Sequence, residues 1–468
     1  MRSVERIFKR SVLLLLVLAG FMQLHAQENS PFSRYGLGDI YPAQSIASRG
    51  MGGISAAYSS DQALNTSNPA TYSAMRYIKM FGGTKGALVN YDFGLSIDAR
   101  TLRSATPASS YNSTNFMPSY IQLGVPLNPR ADARKRGAGL VFGLKPATRI
   151  NYSVESVQRT SIDSIKTLYE GNGGLNQVFF GLGKRFNNLS IGFNAGYEFG
   201  RKQISTKQTF INDSVNYYKS NDVSRTDFWG LFLSPGITYN IKLSDKKSKL
   251  GSYNEGFFLK LGASGTLEQN LKANTSKRVE TFTYDANGAI SNIDSISDVT
   301  DVLGNITIPV TYNMGFLVSK KYIVGGEPVA TKWAIGADYA LAKWQDYRYY
   351  GAKENQLADS KMLRVGGEFT PSFSSNALFS RSTYRVGFYS GKDYINADGN
   401  GYKVSAFTLG MGFNLRKWSN YDNQSTLINT AIEFGKRGSN VNNVTENFFK
   451  LSLGLSMSDL WFTRRKYD

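Results

Sequence analysis

The sequence predicts an all-β protein, a fourteen-stranded antiparallel transmembrane β-barrel with an N-terminal hatch or plug in its lumen. Three observations point there: stretches in which apolar residues alternate with polar or small ones, an export leader at the N-terminus, and connections that alternate between short and long. A period of two puts successive side chains on opposite faces of a strand. Leu189, Ile191, Phe193, Ala195, Tyr197 and Phe199 interleave with Ser190, Gly192, Asn194, Gly196, Glu198 and Gly200. Ile306 to Val318 and Phe407 to Leu415 repeat the pattern. Soluble sandwiches share this period, so the leader decides which solvent meets the apolar face.

In the leader, Arg2, Arg6, Lys9 and Arg10 precede an apolar run from Val12 to Met22, and Ala26 follows as a small residue for cleavage. That run is too short to span a bilayer as a helix, so residues 1–26 read as a signal peptide, with a signal anchor as the alternative. No cysteine stands near the cut, which excludes a lipoprotein. No later run approaches the roughly 20 apolar residues of a spanning helix. Strands must therefore carry any membrane residence.

Residues 27–75 do not alternate cleanly. They hold Arg34-Tyr35-Gly36, Arg49-Gly50-Met51-Gly52-Gly53, Asp61 and Asn65-Thr66-Ser67-Asn68-Pro69-Ala70. Glycines, small apolar residues and an Asn-Pro turn suggest a compact, partly helical segment. A fourteen-stranded barrel is too wide for its inward side chains to fill, so this segment fits as a plug, with the barrel at 76–468.

The barrel strands fall within 76–101, then near 114–125, 137–150, 175–186, 189–205, 228–241, 254–272, 304–319, 331–348, 361–373, 383–392, 403–416, 426–437 and 447–460. An even number places both ends of the barrel on one side. Segments 126–136, 187–188, 242–253, 320–330, 374–382 and 417–425 then share one side and are short. Segments 102–113, 151–174, 206–227, 273–303, 349–360, 393–402 and 438–446 share the other and hold every long polar excursion. Short periplasmic turns and longer extracellular loops are the outer-membrane pattern. The last strand sets Phe449, Leu451, Leu453, Leu455 and Met457 outward against Lys450, Ser452, Gly454 and Ser456. It must close on the first strand, because backbone groups in lipid need partners.

Composition excludes whole classes of chemistry. There are no cysteines, and the single histidine, His25, lies in the leader. Serine–histidine and cysteine–histidine catalysis cannot be assembled, and the commonest zinc and transition-metal ligands are missing. No enzyme, cofactor or metal site is expected. Asn396-Ala397-Asp398-Gly399-Asn400-Gly401 opens like a calcium loop but has Phe407 where a bidentate glutamate is needed, so it reads as a glycine-rich turn. The 28 tyrosines, 29 phenylalanines and 5 tryptophans supply interfacial girdles, and the 46 glycines supply small inward positions. The net charge is +19; removing the leader's four basic residues and Glu5 leaves 50 basic against 34 acidic residues, or +16. Such an excess suits lipopolysaccharide phosphates, anionic solutes or an acidic partner, or simply solvated turns such as Arg130 to Arg136 and Asp245 to Lys249. Nucleic acid is not an expected partner of an exported chain.

The run from Arg49 to Gly53, with Ala56-Ala57, Asp61 and Asn68-Pro69-Ala70, resembles the N-terminal hatch of the FadL/TodX-type outer-membrane transport proteins. Thr71 stands where that family has glycine after the Asn-Pro-Ala turn. The resemblance implies a barrel plugged from its N-terminus, through which hydrophobic compounds pass by way of the hatch and a lateral gap in the wall. It also embraces PorV-like proteins of the type IX secretion system, which bind partner proteins instead. Asn68-Pro69-Ala70 alone also fits an ordinary turn entering the first strand.

The expected function is passive passage of small hydrophobic compounds across the outer membrane of a Gram-negative bacterium. Arg34, Arg49, Gly52, Gly53, Asp61, Asn68, Pro69 and Ala70 are the expected hatch and gate, through glycine flexibility, a rigid turn at Pro69 and polar anchoring. The alternative is a non-transporting binding or scaffold barrel associated with protein secretion, using loops 151–174, 206–227 and 273–303 to hold a secretion-system or periplasmic partner. Inward Glu198, Lys260, Asp338, Arg364 and Glu368 either line a polar pore or anchor the plug. An apolar cavity beside the plug favours transport; a polar, sealed lumen favours the scaffold.

Overall fold

Each wall strand has lipid on one face and the lumen on the other, and that asymmetry organises the molecule. In the last strand Phe449, Leu451, Leu453 and Met457 are exposed while Ser452 and Ser456 are buried. The structure, a computed structural model, describes residues 30–60, 62–75, 77–79, 85–106, 108–127, 137–161, 163–211, 218–247, 254–285, 289–324, 327–372, 375–397, 399–416, 425–439 and 441–461. The expected leader, Asp61, Asp398, the side chains of both basic turns and the tail after Trp461 lie outside the described residues.

Fourteen strands form the wall. They are β1 (Lys85–Ser104), β2 (Ser109–Pro126), β3 (Ala138–Arg159), β4 (Ser164–Phe186), β5 (Leu189–Phe210) and β6 (Lys219–Lys247). Next come β7 (Asn254–Thr266, continuing as Gln269–Tyr284), β8 (Ile290–Ile308, continuing as Thr311–Val324), β9 (Glu327–Ala342) and β10 (Ser360–Phe369). β11 (Thr383–Lys392), β12 (Lys403–Arg416), β13 (Ser425–Arg437) and β14 (Val444–Trp461) complete the ring. Neighbours pair antiparallel throughout, and β14 closes on β1 from Val444↔Ser104 to Trp461↔Ala87. Ahead of β1, Tyr77–Lys79 folds back against it as a short hairpin. Pro309, which cannot donate to a ladder, marks the break in β8.

The long excursions expected as loops differ from the structure. Segments 151–174, 206–227 and 273–303 are largely strand: β3 and β4 stay paired to Arg159↔Ser164, β4 and β5 to Ile165↔Phe210, and β6 and β7 to Lys219↔Phe282. A spanning strand needs about 9–11 residues, so these hairpins rise well beyond the bilayer. Above the membrane both faces meet water, so alternation vanishes while the hydrogen-bonded ladder persists.

The described residues of 30–75 lie inside the barrel. Ile46, Met51, Ile54, Ala56 and Tyr72 are essentially inaccessible. The segment uses short turns: Pro31–Arg34, one helical turn Ile46–Arg49 capped by the Ser45 hydroxyl, and Pro69–Ala74 capped by the Asn68 side-chain oxygen. Its backbone presses against inward glycines of the wall. A Cβ on Gly410 would stand 2.7 Å from the Gly50 Cα, and one on Gly387 would collide with the Gly52 amide. At the extracellular end, Phe32, Leu37, Leu357, Tyr394, Ile395 and Tyr402 pack into an apolar cluster that brings segments 343–359 and 393–402 over the plug.

Because this contact is backbone on backbone, no side chain can swing away to make room. Gly410→Val should displace the plug at a cost of about 1–3 kcal/mol or more while leaving the wall ladder paired. Trypsin reads it out, since Arg49 is buried in the native protein. Cleavage after Arg49 in a barrel that keeps folded gel mobility is expected; continued resistance would refute the seat.

Candidate functional site: the plug and the seam in the wall

The plug is fixed by directed polar contacts as well as by shape. Arg49 sits on the helical turn with its guanidinium buried. Its Nη1 donates to Ser96 Oγ of β1 at 3.0 Å and Ser452 Oγ of β14 at 3.4 Å, and its Nη2 to the Pro42 carbonyl at 3.0 Å. The same guanidinium lies 5.3 Å from the centre of the Tyr41 ring. Gly52 and Gly53 take φ of 70° and 81°, a left-handed turn open to glycine. That turn lets the Gly52 amide donate to Thr408 Oγ1 of β12 at 2.8 Å. Asn68 Nδ2 donates to the Ala56 carbonyl at 2.6 Å and to the wall carbonyl of Ile237 at 3.2 Å, while its Oδ1 accepts from Ala70 N at 3.1 Å. Pro69 and Ala70 open the buried turn that follows. These six expected residues thus lie together in the plug. Arg34 lies apart, exposed and stacked 5.1 Å from Tyr35.

Four of the inward charged residues meet partners, three of them on the plug. Asp338 Oδ2 accepts from both Ser55 N at 2.6 Å and Ala56 N at 2.7 Å. Lys260 donates to Ser59 Oγ at 2.8 Å. Glu368 pairs with Arg385 at 3.1 Å and accepts from the Tyr58 hydroxyl at 3.4 Å. Glu198 accepts from Gln177 of the wall. Arg364 lies against Gly53.

A second set of anchors, nearer the extracellular end, was not legible in the sequence. Asp39 of the plug bridges Arg100 of β1 and Arg437 of β13, each at 2.9 Å. Arg100 also binds Asp98 at 2.7 Å and Glu446 at 3.1 Å, and Glu446 accepts from Ser30 Oγ at 3.0 Å. Arg437 reaches Asp393 at 2.5 Å. Burial alone would raise the Asp39 carboxyl, but the Arg437 and Arg100 guanidiniums outweigh it and hold the group down to about 2 from an ordinary 3.8. The partners lie on separate strands hundreds of residues apart in some cases. Only the inward position of each, set by the two-residue period, was a usable signal.

Among the described residues, the wall has one seam. β2 and β3 pair only from Pro126↔Gly139 to Ile121↔Leu144. β3 then breaks register at Pro146 and follows the plug, with Asp39↔Arg149 and Ile40↔Thr148 as strand partners. Tyr41 N donates to the Ala147 carbonyl at 2.9 Å and Ser30 N to the Asn151 carbonyl at 3.2 Å. Asn151 N in turn donates to Ser33 Oγ at 3.0 Å. The ring closes through β14 and β1 as expected, and at this seam the plug gives β3 the strand partners that β2 does not, while it reaches β2 through side chains such as the Tyr41 hydroxyl, 2.8 Å from Ser119 Oγ. Across the seam Arg149 Nη2 donates to Asn115 Oδ1 at 3.1 Å. Outside it lies a groove of about 1030 Å³ lined by Met117, Ile121, Tyr197, Phe199 and Trp229 among others.

Between plug and wall lies a cavity of about 450 Å³. Its lining mixes Ile308, Leu341 and Met362 with Lys145, Glu198, Arg364, Glu433 and Arg437. Most of the lining surface is apolar, and these charged groups are set within it.

A family model described as BamG matches residues 7–468. Among solved structures, a Pseudomonas aeruginosa FadL homologue is similar at a TM-score of 0.51 and 11% identity, covering 90% of this chain and 99% of that one. The CymD monoaromatic hydrocarbon channel gives 0.48 at 13% identity, covering 91% and 98%. The Pseudomonas putida toluene transporter TodX gives 0.45 at 14%, covering 89% and 98%. No curated protein matches. The first of these structural likenesses establishes the fold, an outer-membrane barrel.

Asp39→Asn should cost about 1.5–3 kcal/mol, because two buried guanidiniums lose one of their charged partners while Arg100 keeps Asp98 and Glu446 and Arg437 keeps Asp393. A depressed folded-state pKa gives stability that is present above about pH 4 and lost as pH falls toward 2. Thermal unfolding should therefore show a loss of stability through that window in the native protein. The Asp39→Asn variant, already less stable, should lose that part of the pH dependence. An unchanged acid profile would count against the lock.

Proposed function

The chain belongs to the BamG family, and we propose that it is a sealed accessory barrel of the outer-membrane barrel-assembly machinery rather than a channel. The observation that carries this reading is the seam, where the plug supplies strand partners that the wall itself needs. A gate must leave its seat in order to open. Here, departure would strip Ala147, Thr148, Arg149 and Asn151 of β3 of backbone partners beside hydrocarbon, at several kcal/mol for each group left unsatisfied. The apolar cap over the plug supports the same reading. The family's name associates it with barrel assembly, which supplies the setting for a barrel that carries nothing through itself.

Passage of small hydrophobic compounds is the second reading, and both the mostly apolar lining of the inner cavity and the groove in the wall favour it. The groove outside the seam faces lipid and carries the aromatic side chains Tyr197, Phe199 and Trp229. On that reading Arg149 and Asn115 would have to part and the plug would have to move.

Two measurements separate these readings. Proteoliposomes carrying the purified protein should take up toluene or a long-chain fatty acid no faster than protein-free vesicles. The native protein, extracted gently, should co-purify with the central barrel of the assembly machinery in a fixed ratio. Saturable uptake that disappears when an Ile40→Cys, Thr148→Cys pair is oxidised would overturn the proposal and restore the gated channel. The chain has no cysteine of its own to interfere.

A further inference from the structure

Above the membrane the sheet ends in a free edge on β8. Its upper segment, Ile290–Ile308, pairs with β7 along one side from Gln269↔Ile308 to Tyr284↔Ile290. On the other side, among the described residues, only Ile306 and Thr307 have strand partners, Tyr349 and Arg348. Every residue from Ile290 to Leu303 is exposed. Ile296 and Leu303 are 66% and 75% accessible, and Ile290, Ile293, Val299 and Val302 are exposed beside them. Asp294, Asp298 and Asp301 on the same segment exclude it from hydrocarbon, so these aliphatic side chains stand in water. A row of them along a long edge is a hazard that monomeric barrels avoid.

The edge is guarded against one kind of partner and open to another. Register breaks at Thr275/Lys277, Val279/Glu280 and Thr281/Phe282 disrupt the ladder of this pair. Such bulges twist an edge away from further strand addition. The Asp294 carboxylate accepts from the Ser295 amide at 2.8 Å, occupying a donor that an added strand would want. The aliphatic side chains have no such cover. Charge narrows the choice further. From Val279 to Ser319 there is no Lys or Arg, but there are Glu280, Asp285, Asp294, Asp298 and Asp301, in a chain of net charge +19; Asp298 is paired with Arg278 of β7 at 2.9 Å, which leaves Asp294 as the acid beside Ile293 and Ile296. A second copy would bring acid against acid, and lipopolysaccharide would bring phosphates.

We infer that the Ile290–Leu303 edge docks a folded extracellular protein through an apolar patch rimmed by Lys and Arg. Ile293, Ile296 and Val299 enter that patch, and Asp294 meets its basic rim. The inference rests on the accessory-subunit reading for its setting and adds the surface and the chemistry of the partner.

Photocrosslinking in cells tests it, with p-benzoylphenylalanine placed at position 296 and, as a lipid-facing control, at position 335. The expected result is one adduct, specific to position 296, with a protein other than this chain, mapping to an apolar peptide flanked by Lys or Arg. Adding Asp294→Lys and Ile293→Ser should lower its yield about tenfold, equivalent to about 1.4 kcal/mol, in protein that keeps folded gel mobility. An adduct with a second copy, with lipopolysaccharide alone, or none at all overturns the inference, as does a yield indifferent to the substitutions. Should the double variant not fold, the adduct's identity and its mapped peptide decide. Co-purification of the assembly machinery without an adduct at 296 would leave the functional reading standing and remove this surface. An adduct of the expected chemistry with a protein outside that machinery would do the reverse.

Discussion

A peptide group in hydrocarbon has no water to turn to, and this constraint decides how the plug and the wall relate. Among the described residues, thirteen of the fourteen junctions between wall strands satisfy it by strand pairing across the membrane, and above it β8 leaves β9 and pairs at Ile306 and Thr307 with Tyr349 and Arg348. At the remaining one, β3 leaves β2 after Leu144 and turns inward at Pro146. The plug then takes over as the neighbouring strand, through Asp39, Ile40 and Tyr41. The wall and its contents are thus one hydrogen-bonded object. Removing the plug would not simply empty the lumen; it would leave one edge of β3 without partners above Leu144, while its other edge stays paired with β4.

Shape and charge then hold that substitute strand in register. The glycines at 387 and 410 let the plug backbone approach the wall closely, which sets its position at the middle of the barrel. The Asp39–Arg100–Arg437 cluster sets it at the top. Buried ion pairs add little net stability compared with apolar packing, yet breaking one is expensive, so they specify a single arrangement more than they strengthen it. Arg49 does the same lower down, joining the plug to both β1 and β14, the two strands whose meeting closes the ring. A plug held at the seam, the glycines and the two arginine clusters has many contacts to break at once before it can move.

Much of the wall was legible in the sequence, for a physical reason. Where lipid lies on one side and a lumen on the other, side chains must alternate, and 383–392 and 403–416 were read to the residue. Above the bilayer that requirement lapses, and the upper halves of β3 to β8 looked like loops although their backbones remain paired. The plug was legible through local chemistry, with two left-handed glycines after Arg49 and an asparagine that caps its own turn at Pro69. Asp39 was not, because nothing local distinguishes a lone acid whose partners stand at 100 and 437. The seam was equally hidden. Pro146 and Tyr41 signal nothing until β3 and the plug are seen side by side.

The most direct test of this account is backbone amide exchange in the full chain held in lipid nanodiscs, followed at residues 38–41 and 147–151. If the plug is a working strand of the wall, these amides exchange as slowly as those of the β14–β1 closure around Leu453 and Leu95. Exchange faster by orders of magnitude there, with the closure still protected, would mean that the plug leaves its seat freely, and the account would fail.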